Sequence, residues 1–166
     1  MEVTIQSDAD IRRALERYAH TVRRICFMYL RNRSDMEDVF QEVFLKHALR
    51  KTGFASDAHE KAWLIRVSIN ACKDLTKSFW HRKVFSLEEA DTTGLTLSQD
   101  NSDVLDAVLR LRPPKYRAVI YLFYFEGYKA TQIAQILGRN ENTIYTWLSR
   151  AKDQLRATLG GELDAG

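Results

Sequence analysis

Between Lys129 and Leu155 the apolar residues change phase once, and they do so at a glycine. Ile133, Ala134 and Leu137 form one stripe; after Gly138, Ile144, Trp147, Leu148, Ala151 and Leu155 form a second at i, i+3, i+4, i+7 and i+11. The pattern predicts two helices meeting at a sharp turn. Ala134 is small enough for close helix approach, Gly138 can adopt the positive φ such a turn requires, and Asn140 is placed to cap the second helix. A plain helical hairpin would share this spacing, so the outward face has to decide between the two.

That outward face carries Asn142, Thr143, Tyr145, Thr146, Ser149, Arg150 and Lys152, with no acid among them. Arginine can bond a guanine edge with two N–H groups, Thr and Ser can reach bases or phosphates, and free N–H groups at a helix start favour phosphate. The set suits a major groove. The segment therefore reads as a helix-turn-helix whose second helix contacts DNA.

The rest of the chain has few residues that would stop a helix, only seven Gly and two Pro in 166. Both prolines sit together at Pro113-Pro114, where they end a helix running from Asp103 through Val104, Leu105, Val108, Leu109 and Leu111 and can start the next. From Tyr116 to Phe125 every position but Arg117 is apolar or aromatic. A helix so apolar on all sides is expected to be buried, at the centre of the C-terminal core.

Formal charge is only +3, but it is unevenly distributed: residues 1–85 carry 16 Lys and Arg against 11 Asp and Glu, 86–106 none against 6, and 107–159 nine against 3. Residues 86–101, SLEEADTTGLTLSQDN, also lose the helical period and read as an acidic linker. About twenty extended residues reach on the order of 70 Å, around two turns of duplex, so the flanking basic blocks could occupy separate parts of one DNA site. Cys26 and Cys72 lie in apolar runs and read as buried free thiols; His20, His47, His59 and His81 are scattered, and no metal-ligand spacing occurs. There is no apolar leader and no run of 18 apolar residues, which leads to the expectation of a soluble cytoplasmic protein without metal or cofactor.

At the N-terminal end, Ser7 can cap a helix striped by Ile11, Leu15, Tyr18, Val22, Ile25, Cys26, Tyr29 and Leu30. Ser34 with Glu37 has the form of a capping box, followed by an apolar face of Met36, Val39, Phe40, Val43, Phe44 and Leu45. Asp35, Asp38, Gln41 and Glu42 lie opposite, as a solvated face or as a contact surface. A loop, Lys51 to Ser56, then holds Phe54 with no helical partner nearby, and Asp57 and Glu60 can cap a helix running through Trp63, Leu64, Val67, Ala71, Cys72 and Leu75 to about Lys77. The polar side of that helix is mostly basic, with Lys61, Arg66, Asn70, Lys73 and Lys77, and leads into Trp80, His81, Arg82 and Lys83. Cations beside aromatics suit melted nucleic acid, phosphates on the charges and bases on the rings; a core tryptophan with a solvated basic face is the alternative.

Three segments carry a resemblance to a known family. DMEDVFQEVFLKHA (35–48) is similar to the DxEDLxQExFL segment of bacterial sigma factors of the extracytoplasmic-function type, AWLIRVSINACKDLTK (62–77) to their WLxRIxxNxxxDxxR helix, and residues 111–156 to their C-terminal LPxxYRxV…IAxxLGxxxxTVxxxLxRAxxxL module. Gln132 and Tyr145-Thr146-Trp147 depart from it, standing where Glu and Lys-Ser-Arg are frequent. The resemblance spans nearly the whole chain. It implies an all-α protein of two small domains: a sigma-2-like domain (1–85), the linker (86–101), and a sigma-4-like helix-turn-helix domain (102–159).

It further implies that Asp35, Asp38, Gln41 and Glu42 bind the β′ clamp helices of core RNA polymerase, with the β flap as a second contact. Phe54, Ser56, His59 and Lys61, with Asn70, Lys73 and Lys77 behind them, would capture a flipped base of the −10 element. Arg139, Asn142, Thr143, Tyr145, Thr146, Ser149, Arg150 and Lys152 would read the −35 element. Promoter DNA and an anti-sigma factor are the other expected partners, with no catalytic residue anywhere. A helix-turn-helix operator-binding regulator independent of polymerase is the alternative, one that leaves residues 35–48 unexplained; a protein-binding adaptor leaves the basic faces unexplained.

Overall fold

Ser7 opens the first helix as expected: its Oγ accepts the Asp10 N–H at 3.2 Å, and α1 runs Asp8–Tyr29. The structure, a computed structural model, describes residues 6–82 and 102–160, and every regular element among them is a helix. The acidic stretch 86–101 lies outside the described residues. The chain divides into two units, Met1–Thr92 and Thr93–Gly166.

In the first unit α2 (Arg33–Ala48) and α3 (Asp57–Arg82) pack on α1 and on each other. The cap of α2 is not the expected one: Asn32, not Ser34, takes the position, its Oδ1 accepting the Asp35 N–H at 3.2 Å. Asn caps as well as Ser. With Ser34 inside the first turn, the Glu37 carboxylate is released to pair with Arg23 of α1. Leu45 also departs from expectation, since Val39, Val43, Phe44 and His47 fill the buried arc of α2 and leave Leu45 59% exposed. The core joins Val22 and Cys26 of α1, Val39 and Val43 of α2, and Leu64, Ala71 and Cys72 of α3. Both cysteines are buried free thiols, and the Cys72 thiol is pushed far up from its ordinary value, first by its hydrogen bond with Cys26 and then by burial.

In the second unit α4 (Ser102–Leu109) is followed by α5 (Pro114–Ile120), which Pro114 starts. Arg117, the polar exception in the apolar run, is itself 3% exposed and donates its Nε–H to the Leu111 carbonyl at 2.9 Å. The run does not stay buried to its end. At Tyr121–Phe125 the helix widens to a π turn, closed by the Glu126 N–H on the Tyr121 carbonyl at 3.1 Å. In its second half, Tyr124 and Phe125 stand 55% and 40% exposed. The periodicity of α5 extended through residue 125 puts them inside; the wider turn changes the phase.

Helices α6 (Ala130–Leu137) and α7 (Glu141–Leu159) come next. Gly138 ends α6 at φ +65°, a left-handed conformation that costs a side chain with a Cβ far more than glycine. Asn140 Oδ1 accepts the Asn142 N–H at 2.8 Å and so starts α7. The departure at Gln132 does the work of the usual Glu, because its Oε1 accepts the Lys129 N–H at 2.9 Å across the first turn of α6. Further along α7, the Gln154 side chain bonds both the N–H (3.1 Å) and the carbonyl (2.8 Å) of Arg112.

Candidate nucleic-acid and protein interfaces

Helix α7 is split cleanly. Ile144, Trp147, Leu148, Ala151 and Leu155 are buried, while Asn142, Tyr145, Thr146, Ser149 and Arg150 are exposed and Thr143 is half-buried. At 3.6 residues per turn, Asn142, Thr146 and Asp153 form the line opposite the buried face. Arg150 falls on one flank of that line and Lys152 on the other. Arg150 is exposed and makes no hydrogen bond or ion pair with the described residues. Lys152 is different, since it is half-buried with its Nζ 5.7 Å from the Phe123 ring and 5.8 Å from the Tyr124 ring. Arg139, exposed in the turn, has its guanidinium 5.8 Å from the Trp147 ring. The Thr146 hydroxyl donates to the Asn142 carbonyl at 2.9 Å. One acid borders the face: Asp153 closes the central line and pairs with Arg156 at 3.4 Å.

In the first unit, α2 turns Asp38, Gln41 and Glu42 to solvent, with Asp35 half-buried at its start. Glu42 pairs with Lys46 at 3.1 Å along the same exposed face. Leu45 and Leu49 are exposed on this helix and its C-cap; periodicity assigns Leu45 to the core, and only the packing reveals it as surface. Asp38 and Leu45, and Glu42 and Leu49, are each seven residues apart, so the acids and the leucines share a stripe.

The Phe54 loop is more heavily used than its sequence suggests. Phe54 has four partners: the His47 ring stacks on it (5.6 Å, 20°), His59 and Trp63 meet it edge-on at 5.3 and 5.5 Å, and the Arg50 guanidinium lies over it at 4.2 Å. The expectation of an unpartnered aromatic is thus overturned. Its partners come from residues outside the loop that spacing alone could not bring to it. Ser56, not Asp57 or Glu60, caps α3, its Oγ accepting the His59 N–H at 3.1 Å, while His59 Nδ1 accepts the Ala55 N–H at 3.0 Å. That acceptor role leaves the His59 proton on Nε2. Asp57 instead pairs with Arg17 of α1 at 3.0 Å, and its carbonyl accepts the Tyr18 hydroxyl at 3.2 Å. Burial, then Glu60, holds the Tyr18 hydroxyl above its ordinary range, so it stays a donor.

His47, unremarked by its spacing, is 1% exposed, and its Nε2 lies 2.8 Å from Glu60 Oε2. Behind the loop, Asn70 and Lys77 are exposed on α3, while Lys61 and Lys73 are half-buried and engaged. The helix continues past Lys77 to Arg82, a full turn beyond the expected end. No cluster of His, Cys, Asp or Glu that could hold a metal occurs among the described residues, and no helix there is long and apolar enough to cross a membrane.

These features define a helical protein of two units, one bearing a helix-turn-helix with a polar outward face. Residues 14–82 match the family described as Sigma-70 region 2, and residues 103–155 that described as Sigma-70, region 4. The chain belongs to the sigma-70 family and is an RNA polymerase sigma factor of the extracytoplasmic-function type, directing promoter-specific initiation. Among its relatives it is 28% identical over 158 residues to the ECF RNA polymerase sigma factor SigW of Bacillus subtilis, covering 86% of this chain and 84% of that one. It is 27% identical over 143 residues to the RNA polymerase sigma factor SigV of the same organism, covering 84% of each. The fold matches the sigma factor RpoE of Bartonella quintana, solved in complex with the anti-sigma factor NepR, at a TM-score of 0.74 and 23% identity over 92% of this chain and 98% of that one. It also matches CnrH, solved with the cytosolic domain of CnrY, at 0.63 and 20% over 94% and 91%. The family is not one of enzymes. An operator-binding regulator independent of polymerase is not favoured, since both family matches and the sigma-factor relatives together support a polymerase-associated sigma factor.

Proposed function

We propose that the two units divide the promoter between them, the first unit melting and holding the −10 element while docked on polymerase, the second reading the −35 element through α7. The observation that carries this reading is the division of α7 into a fully buried apolar face and an outward face whose Arg150 is uncommitted. A helix so divided can enter a major groove without disturbing its own core. Arg139, Asn142, Thr143, Tyr145, Thr146, Ser149 and Arg150 supply the −35 contacts, with Lys152 at the flank. In the first unit Ser56, His59 and Lys61 border the capture site for a flipped −10 base, with Phe54 beneath and Asn70, Lys73 and Lys77 on the helix behind.

Asp35, Asp38, Gln41 and Glu42 dock on the β′ clamp helices, and the second unit meets the β flap. The protein works in the cytoplasm, without a catalytic centre or cofactor of its own, and is held in check by an anti-sigma factor, as the complex of RpoE with the anti-sigma factor NepR supports. The test is binding to core polymerase by an Asp38→Lys, Glu42→Lys double variant. Affinity is expected to fall while thermal stability stays within about 0.5 kcal/mol of the parent, because both residues are exposed. Undiminished affinity would remove α2 from the polymerase contact.

A further inference from the structure

Arg50 stands between the end of α2 and the Phe54 loop, and neither the polymerase contact nor the promoter contacts give it a part. Its guanidinium is engaged on both its edge and its faces. Nε donates to the Thr52 carbonyl at 3.1 Å and Nη2 to the Gly53 carbonyl at 3.4 Å. The planar group lies 4.2 Å from the Phe54 ring centre and 5.1 Å from that of Trp63. The His47 ring is stacked on Phe54 as well, fixed by its bond to Glu60. Phe54 is therefore held by both a cation and an imidazole.

We infer that Arg50 is a positioning residue for promoter melting: it sets the backbone of residues 51–54 in one conformation before DNA arrives, and the stacked His47 ring helps hold Phe54 there. This rests on the reading of the loop as the −10 capture site. The physical reason is preorganisation. A loop that captures an unstacked base must already spend part of its binding energy on the unstacking; if it also had to order itself, less would be left. Arginine suits the task because its fork can satisfy two carbonyls while its plane lies on a ring. Lysine keeps the charge but loses the fork and the stack.

The decisive variant is Arg50→Lys, assayed with core polymerase on a duplex promoter and on the same promoter with its −10 region pre-melted. Open-complex formation on the duplex is expected to fall on the order of tenfold, as a small misplacement of a working group can cost, with less than about twofold loss on the pre-melted template, where the unstacking cost is already met. Base preference at the captured position should flatten, a readout that a simple loss of stability would not move. His47→Gln, which keeps a donor for Glu60 but removes the ring, should give the same pattern more weakly. Melting temperature and core binding, measured on the same preparations, exclude unfolding. Asn70→Ala tests the underlying reading separately: if it shows no template dependence, the capture site lies elsewhere. If Asn70→Ala shows it while Arg50→Lys melts duplex and selects bases as the parent does, the role of Arg50 is overturned alone.

Discussion

Helix α7 and the Phe54 loop both present polar side chains to nucleic acid, yet they are built on opposite plans. In α7 the residues that hold the fold and those that face outward are different residues: Ile144, Trp147, Leu148, Ala151 and Leu155 are buried, and Arg150 is exposed with no hydrogen bond or ion pair to the described residues. In the loop they are the same residues. Ser56 caps α3, His59 bonds the Ala55 N–H, and Phe54 packs against Arg50 and His47. A rigid helix needs only one face to be placed, whereas an irregular loop has no ladder of its own and must be held by its side chains. Substitutions in α7 should therefore separate stability from recognition, and substitutions in the loop should not.

Trp147→Ala tests the first half most severely. The ring is buried and lies under Lys115, whose Nζ is 4.5 Å from its centre, so truncation should cost about 3–5 kcal/mol of stability. The folded fraction should nevertheless select the parental −35 sequence. A stable Trp147→Ala protein that selects a different one would mean the buried and reading faces of α7 have been exchanged.

Phe54→Ala tests the second half. The ring is half-buried, so a loss of about 2–3 kcal/mol is expected, below that of a fully buried aromatic. Because the ring itself is removed, which Arg50→Lys and His47→Gln leave in place, open-complex formation should drop on pre-melted as well as duplex templates. Thermal melts beside the two template assays would decide; an unchanged melting temperature with a defect only on duplex DNA would make Phe54 a dedicated base contact and dissolve the contrast with α7.

Arg150→Ala is the gentlest of the three, with no change in stability expected. If the guanidinium reads a guanine edge, binding to the cognate −35 element should weaken by about 1–3 kcal/mol and preference at one base position should flatten. If it touches phosphate, binding should weaken alike on all sequences and the salt slope should fall by about one. Its place on the flank of α7 makes the second outcome a live competitor. Selection from randomised −35 sequences at two salt concentrations distinguishes them.

The same contrast explains what could be read from the sequence. Each helix in α7, α6, α1 and most of α3 announces itself by period, and Gly138 and Asn140 sit where the turn and the cap occur, because those are local matters of backbone and spacing. The loop is not local. That His47 and Trp63 meet Phe54 depends on how α2 and α3 pack, which no spacing along one element records. Leu45 failed for a related reason: a stripe of six apolar residues is wider than the arc that α2 buries, and the buried His47 took a place that polarity denied it. Asn32 shows the limit of motif matching, since the Ser34–Glu37 spacing fits a capping box while the pairing of Glu37 with Arg23 is seen only across helices.

The wide turn at Tyr121–Phe125 can be restated as an edit of chain length. A π turn closes its hydrogen bond around one residue more than an α turn does. Were a single residue removed from its first half, the chain could close as ordinary α-helix, and the residues following the deletion would rotate by about 100°. Tyr124 and Phe125, exposed in the second half of the turn, would face a different side of the unit. One residue's worth of chain thus keeps an aromatic pair on the surface that the hydrophobicity of its own segment would otherwise draw inside.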